Sequence, residues 1–214
     1  MRILILGAGM YVTGRNNTGI GTVLASVIQA SKLIEIEDVT IVARSVSNTS
    51  IVNEKSKELN DQFRTNLKVN YRSSSDLNRF LTDNSFDCCI VSTPDDLHFE
   101  QIKTLYNHDI HVLCVKPLVN TAHENIELIK LSEEKELLGI VEFHKRFDEA
   151  NQYTKKIINE GKLGEPLYYH VDYSQRSHIP LITFKDWVSK TNIFQYLGVH
   201  YVDLYYYLTG FIPK

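Results

Sequence analysis

Three clusters of residues have side chains and spacings suited to chemistry, and each follows a short apolar run. Gly7-Ala8-Gly9 comes directly after Ile3–Leu6. Glycines at such a turn let the backbone approach a pyrophosphate, whose charge is met by the N-terminus of the next helix. The usual third glycine would fall at Val12, and the next glycines here are Gly14, Gly19 and Gly21, so the loop is longer than the standard fingerprint. The polar insert Thr13–Thr18 is expected to reach over the phosphates with Arg15 as a partner. Gly7, Gly9, Met10 and Gly14 supply the rest of that contact. The plain alternative is a tight strand–helix turn that binds nothing.

The second cluster is Cys114-Val115-Lys116-Pro117-Leu118. A lysine leaving an apolar strand is partly desolvated, which lowers its pKa and suits it to polarise a carbonyl or move a proton. The third is the segment Tyr196-Leu197-Gly198-Val199-His200. On a helix, residues four apart lie one above the other, so a phenol and an imidazole can address one ligand atom. Gly198 in mid-helix costs stability and implies close approach of a backbone or ligand. Tyr196 donates readily but is a poor base near neutral pH unless a neighbour such as Lys116 or a protonated His200 lowers its pKa.

Strand candidates are Ile3–Leu6, Val39–Ala43, Lys68–Tyr71, Cys88–Ser92, Val112–Val115 and Ile140–Phe143. Helix-length amphipathic segments lie between them, at about 20–32, 51–64, 75–83, 97–107 and 121–136. The last opens on Thr121-Ala-His-Glu124, a capping box. Alternating strands and helices of this kind fold as an α/β, doubly wound parallel sheet covered on both faces. The tips of its strands are where ligands bind. The second strand ends Ala43-Arg44-Ser45, without the Asp or Glu that normally takes the ribose 2′-hydroxyl. Arg44 with Ser45 suits a 2′-phosphate, so NADP is expected ahead of NAD.

Composition shifts after about residue 150, where nine of the twelve Tyr fall. A helix is expected at about 148–160, a strand over Pro166–Gln175, and a helix from Ile193 to Leu208 capped by Asn192 and ended by Gly210. The domains are then 1–143, dinucleotide-binding, and 144–214, the start of an α+β domain. The lone strand has no partner by Lys214, so its partner is expected from outside this sequence. Tyr173 and Arg176 close that strand and, with His144-Lys145-Arg146 after the sixth strand, are candidates to line a polyol or anionic-substrate pocket.

Bulk properties narrow the classes. The 214 residues are 43% hydrophobic and 23% charged with a net charge of −3. That is a globular composition with no electrostatic footprint for nucleic acid or membrane. No apolar run approaches a bilayer span. Three cysteines in apolar runs, Cys88, Cys89 and Cys114, point to reduced thiols and a cytoplasmic protein. No metal spacing is present.

Taken together, Gly7-Ala-Gly9, Thr93-Pro94…His98, Lys116-Pro117, Arg146-Phe147 and Gly198-Val-His200-Tyr-Val-Asp203 resemble the Gfo/Idh/MocA family of NAD(P)-dependent oxidoreductases. The resemblance implies a Rossmann domain followed by a domain built on an open, mostly antiparallel sheet, here incomplete. It further implies cofactor contacts from Thr93, Pro94, His98 and Lys116, with Lys116 reaching both nicotinamide ribose and substrate hydroxyl. His200 becomes the principal acid/base, with Tyr196 assisting, and Arg146 a substrate contact. Two departures stand out: Val115 replaces the glutamate of Glu-Lys-Pro, and Tyr196 occupies the usual aspartate position. The expected reaction is hydride transfer between the nicotinamide and a secondary alcohol or ketone of a sugar-like polyol. A non-catalytic dinucleotide sensor and an NAD-dependent glycosidase or lyase are the alternatives, and a homo-oligomer through the second-domain sheet is a possible assembly.

Overall fold

The computed structural model describes residues 1–14, 19–183, 185 and 188–212. The chain divides into two compact units, Met1–Val141 and Glu142–Lys214.

The first unit follows the alternation of the sequence. Strands β1 (Arg2–Leu6), β2 (Asp38–Ala43), β3 (Val69–Ser73), β4 (Cys88–Val91), β5 (His111–Val115) and β6 (Gly139–Glu142) form one sheet in the order β3-β2-β1-β4-β5-β6. The pairings β1–β2, β1–β4, β2–β3 and β4–β5 are parallel, with Ile5 facing Ile41 on one side and Ile90 on the other. Helices α2 (Val23–Ala30), α3 (Asn48–Phe63), α4 (Leu77–Thr82), α5 (His98–Asn107) and α6 (Ala122–Glu134) connect them. Period-two alternation splits β1 between two cores. Ile3 and Ile5 pack with Leu24, Ile28, Val52 and Leu59, while Leu4 and Leu6 pack with Ile102, Leu105 and Leu128. A strand buried on both faces must be apolar throughout, which is why these runs read as continuous.

Local signals act where expected. Thr121 accepts from the Glu124 amide while the Glu124 carboxylate takes the Thr121 amide, completing the capping box. Asp76 caps α4 by accepting from the Arg79 amide. The glycine turn departs from expectation, because a four-residue helix α1 (Met10–Thr13) comes first and α2 begins only at Val23. The excursion returns to its start: the Thr22 amide donates to the Tyr11 carbonyl at 2.8 Å, and Gly21, at φ +66°, lies where a Cβ would meet the Val12 carbonyl. Arg15 lies outside the described residues.

In the second unit, α7 (Glu149–Asn159) is capped by Asp148, and α8 (Val199–Thr209) ends at Gly210 in the left-handed region. Two sequence expectations need correction here. Pro166–Gln175 forms no strand. A strand exists only where a second strand completes its hydrogen bonds, and none pairs with it among the described residues. Part of its alternation survives as packing: Tyr169 and Tyr173 set their rings against Tyr205 and Tyr201 of α8, at 5.8 and 5.9 Å, while Leu167 of the same face and Tyr168 of the other are 89% and 86% exposed.

The helix expected over Ile193–Leu208 is also divided. Phe194–Gly198 is a π-turn, and the α-helix starts at Val199. Asn192 still caps the start by accepting from the Gln195 amide at 2.9 Å. Gly198 answers to the chain's own Phe194, whose ring lies 2.8 Å from where a Cβ would stand, so the close approach is intramolecular.

Arg146 is paired within its own unit. Its guanidinium makes a fork with Asp203, Nε donating to Oδ2 at 2.8 Å and Nη2 to Oδ1. It also stacks between Phe143 and Tyr207. Hydrogen bonding to Asp203 raises its pKa further. An arginine so engaged ties the turn after β6 to α8.

Two outcomes follow from this packing. Gly7→Ala places a Cβ against the Ser92 carbonyl at φ +102°, and should lower the urea midpoint by the equivalent of about 1–3 kcal/mol. Asp203→Ala should cost about 1–2 kcal/mol, the lower part of the range for charged hydrogen bonds because Arg146 is part-exposed. Amide exchange over Val199–Thr209 should accelerate while that of Arg2–Leu6 stays unchanged.

Candidate cofactor cleft and acid–base residues

The strand order reverses between β1 and β4, so the connections leaving these two strands diverge and open a crevice beyond their carboxyl ends. A cleft of about 440 Å³ occupies this place. Its floor is Leu6-Gly7-Ala8-Gly9, one wall is Ala43-Arg44-Ser45 and the opposite wall is Ser92-Thr93-Pro94. Gly7 can turn there because its φ is +102°, and its amide donates to the Val42 carbonyl at 2.9 Å. Gly9 caps α1, and an added Cβ there would meet nothing within 4 Å. The backbone at Gly9 is therefore open to a ligand.

Among the described residues that line the cleft Arg44 is the single charged one, and the others are apolar or neutral polar groups. That wall suits an anion and offers no carboxylate to a ribose 2′-hydroxyl. Ser45 is partly engaged already, its hydroxyl 2.7 Å from that of Ser47 and accepting from the Ser47 amide at 3.3 Å. On the far side Thr93 donates to Gln101 at 2.6 Å. Sequence reasoning missed Asn48, Ser74, Ser75 and Gln101 as wall residues. The run Ser73-Ser74-Ser75 after the third strand was the available signal, three small hydroxyls at the carboxyl end of a parallel strand.

His98, expected at the cofactor, is a buried ring in this structure. The ring is 1% exposed. Its Nε2 lies 2.9 Å from the Thr93 carbonyl and its Nδ1 lies 2.9 Å from the Pro117 carbonyl. A neutral ring donates to one of these carbonyls and packs against the other, so His98 is a bolt between the turn after β4 and the turn after β5. Lys116 is half-buried at the end of β5, followed by a cis Lys116–Pro117 bond, so the bolt fixes the backbone that carries the lysine. Neither His98 nor Lys116 is among the cleft's wall residues. Burial pushes the Cys89 and Cys114 thiols up, which keeps them protonated and inert.

In the second unit His200 is 4% exposed on the first turn of α8. Its ring meets the edge of His144 at 4.7 Å and lies 6.3 Å from Phe143. His144 Nδ1 pairs with Glu142 at 3.0 Å. Tyr196 sits in the π-turn that precedes α8, so the regular i, i+4 stacking expected of it with His200 is replaced by a wider turn. Tyr173 is packed on Tyr201, and Arg176 is exposed. Among the described residues no group of three or more His, Cys, Asp or Glu is arranged to hold a metal, and no helix is long and apolar enough to cross a membrane.

Comparison with known proteins agrees with this geometry. The chain is 30% identical over 140 residues to the NADP(+) scyllo-inositol 2-dehydrogenase IolW of Bacillus subtilis, covering 65% of this chain and 39% of that protein. It is 26% identical over 141 residues to a 2,7-anhydro-N-acetylneuraminate hydratase of Mediterraneibacter gnavus, covering 65% of this chain and 38% of that one. The fold matches scyllo-inositol dehydrogenase from Lactobacillus casei, solved with NAD(H) and scyllo-inositol. That match has a TM-score of 0.68 and 19% identity, over 98% of this chain and 56% of that one. The regions matched thus span about two fifths of the curated relatives and about half of the solved chain. The sequence profile of the oxidoreductase family with an NAD-binding Rossmann fold matches residues 1–143, and this chain belongs to that family, Gfo/Idh/MocA.

Proposed function

We propose that this protein is an NAD(P)-dependent oxidoreductase acting on a secondary alcohol or ketone of a sugar-like polyol, with NADP preferred. The observation that carries the reading is the cleft at the strand-order reversal, with glycines on its floor and Arg44 as the charged residue of its wall. The family and the inositol dehydrogenases among its relatives support the polyol class.

The nicotinamide, when bound, accepts or delivers the hydride; the protein orients the reactants and handles the proton. Gly7 and Gly9 let the backbone approach the pyrophosphate, while Arg44 and Ser45 meet the 2′-phosphate. Lys116 polarises the substrate oxygen, and its turn is held by His98 to the turn after β4. His200 takes the hydroxyl proton during oxidation and returns it during reduction, with Tyr196 as a further donor. Burial of His200 keeps bulk water from competing for that proton. Tyr173 and Arg176 offer a phenol and a guanidinium to polyol hydroxyls.

Relatives named as hydratases favour a second reading, in which the cofactor cycles and no reduced nicotinamide accumulates. A polyol screen with NADP⁺, followed by absorbance of the reduced nicotinamide, separates the two. Net accumulation supports the oxidoreductase, and substrate loss without it supports the alternative.

With a polyol from that screen, Lys116→Ala should abolish turnover while NADPH affinity stays within about tenfold. His200→Ala should slow turnover by about 10²–10⁴, the usual effect of losing a general acid–base group. Wild-type rates in either variant would overturn the assignment. NADPH should bind about tenfold more tightly than NADH, as one part-exposed charge-assisted bond allows. That gap should narrow as salt rises, because screening weakens the Arg44 contact. Nicotinamide fluorescence titrations at two ionic strengths measure both quantities.

A further inference from the structure

The exposed wall tip that carries Arg44 is held from below by side chains of the neighbouring strand. Regular β2–β3 pairing ends at Ala43 opposite Ser73. Beyond that point the chain leaves the sheet, and Arg44 and Ser45 are both exposed. Such a tip normally moves freely. Here three successive carbonyls remain bonded to β3 and the residue after it. The Ala43 carbonyl accepts from the Ser74 amide at 3.1 Å and lies 3.4 Å from the Tyr71 hydroxyl. The Arg44 carbonyl accepts from the Ser73 hydroxyl at 2.7 Å. The Ser45 carbonyl accepts from the Tyr71 hydroxyl.

Tyr71 is itself anchored. Its ring is 8% exposed and packs into the core formed by Ile41, Val52 and Leu59. A rigid phenol rooted in that core therefore carries its oxygen up to the tip, and Ser73 adds a shorter strut. Together these hydroxyls extend the β2–β3 ladder by two residues beyond its backbone pairing. Fixing the carbonyls of residues 43–45 fixes the peptide planes, and these planes set where the Arg44 and Ser45 side chains emerge over the cleft. Directional, charge-assisted bonds to a phosphate depend on that placement more than contacts to adenine or pyrophosphate do. Pre-ordering the tip also spares the ligand the entropy of ordering it.

We infer that Tyr71 and Ser73 are positioning residues for cofactor discrimination, holding the Arg44–Ser45 tip so that it selects a 2′-phosphorylated dinucleotide. This rests on the reading of Arg44 as the 2′-phosphate contact. Neither hydroxyl need touch the ligand, and both act through the backbone carbonyls they hold.

The test is a set of four proteins, wild type, Arg44→Ala, Tyr71→Phe and the double variant Tyr71→Phe/Ser73→Ala, each titrated with NADPH and NADH by nicotinamide fluorescence. The phenylalanine keeps the buried ring, and thermal melts establish that each variant is folded. Tyr71→Phe should weaken NADPH several-fold, and the double variant should bring the NADPH preference close to unity. NADH affinity should change by less than about twofold, since the pyrophosphate floor is untouched. Parallel weakening of both cofactors would mean that the hydroxyls only support the fold, and the inference would fail. It would fail equally if Arg44→Ala removed the preference while the double variant kept it, and the Arg44 contact would then stand. A wild type without preference, or a preference that survives Arg44→Ala, would overturn the Arg44 reading and this inference together.

Discussion

Strand β1 must be covered on both faces and paired on both edges, and most of the first unit follows from meeting these demands at once. Its four buried side chains alternate between two cores, Ile3 and Ile5 to one and Leu4 and Leu6 to the other. Pairing with β2 on one edge and β4 on the other forces the chain to build one half-sheet and then cross back to build the second. The crevice at that crossing is a consequence of topology, and the glycine turn lies on its floor because it is the exit of β1. Cofactor binding and core stability therefore rest on the same strand.

Around that crevice the chain spends polar side chains on holding turns in place. His98 joins the turns after β4 and β5, and Tyr71 and Ser73 hold the tip after β2. Loops at strand ends have few backbone partners of their own. Their geometry must come from side chains that reach up from the sheet and its helices. A buried imidazole or phenol suits the task, because its ring packs as an apolar group while its polar atom reaches a carbonyl. The second unit uses the same device in ionic form. Arg146 and Asp203 form a forked pair between aromatic rings, and the His144–Glu142 pair stands beside the buried His200. That imidazole packs against the rings of His144 and Phe143, which Glu142 and Arg146 engage in turn.

The strands, the helices between them, the Thr121 cap and the carboxyl-end location of the cleft were legible in the sequence, because each rests on contacts between near neighbours or on a strict period. A run such as Ile3–Leu6, short, β-branched and ended by glycines, reads as a doubly buried strand followed by a tight turn. The same logic singled out the Arg44-Ser45 tip, which the structure places on the cleft wall, because ligands bind at the ends of parallel strands.

Tertiary structure decided which partners the polar residues have. The carbonyls of Thr93 and Pro117 lie against His98, and a carboxylate 57 residues away pairs with Arg146. Residue type and local spacing carry no information about partners so distant in the chain. The same reason explains Pro166–Gln175, whose alternation marks the face that meets Tyr201 and Tyr205 but does not supply a pairing strand. Period-two alternation determines which side chains share a face. Whether that face belongs to a sheet depends on a second strand to complete its hydrogen bonds, and only the three-dimensional arrangement decides that.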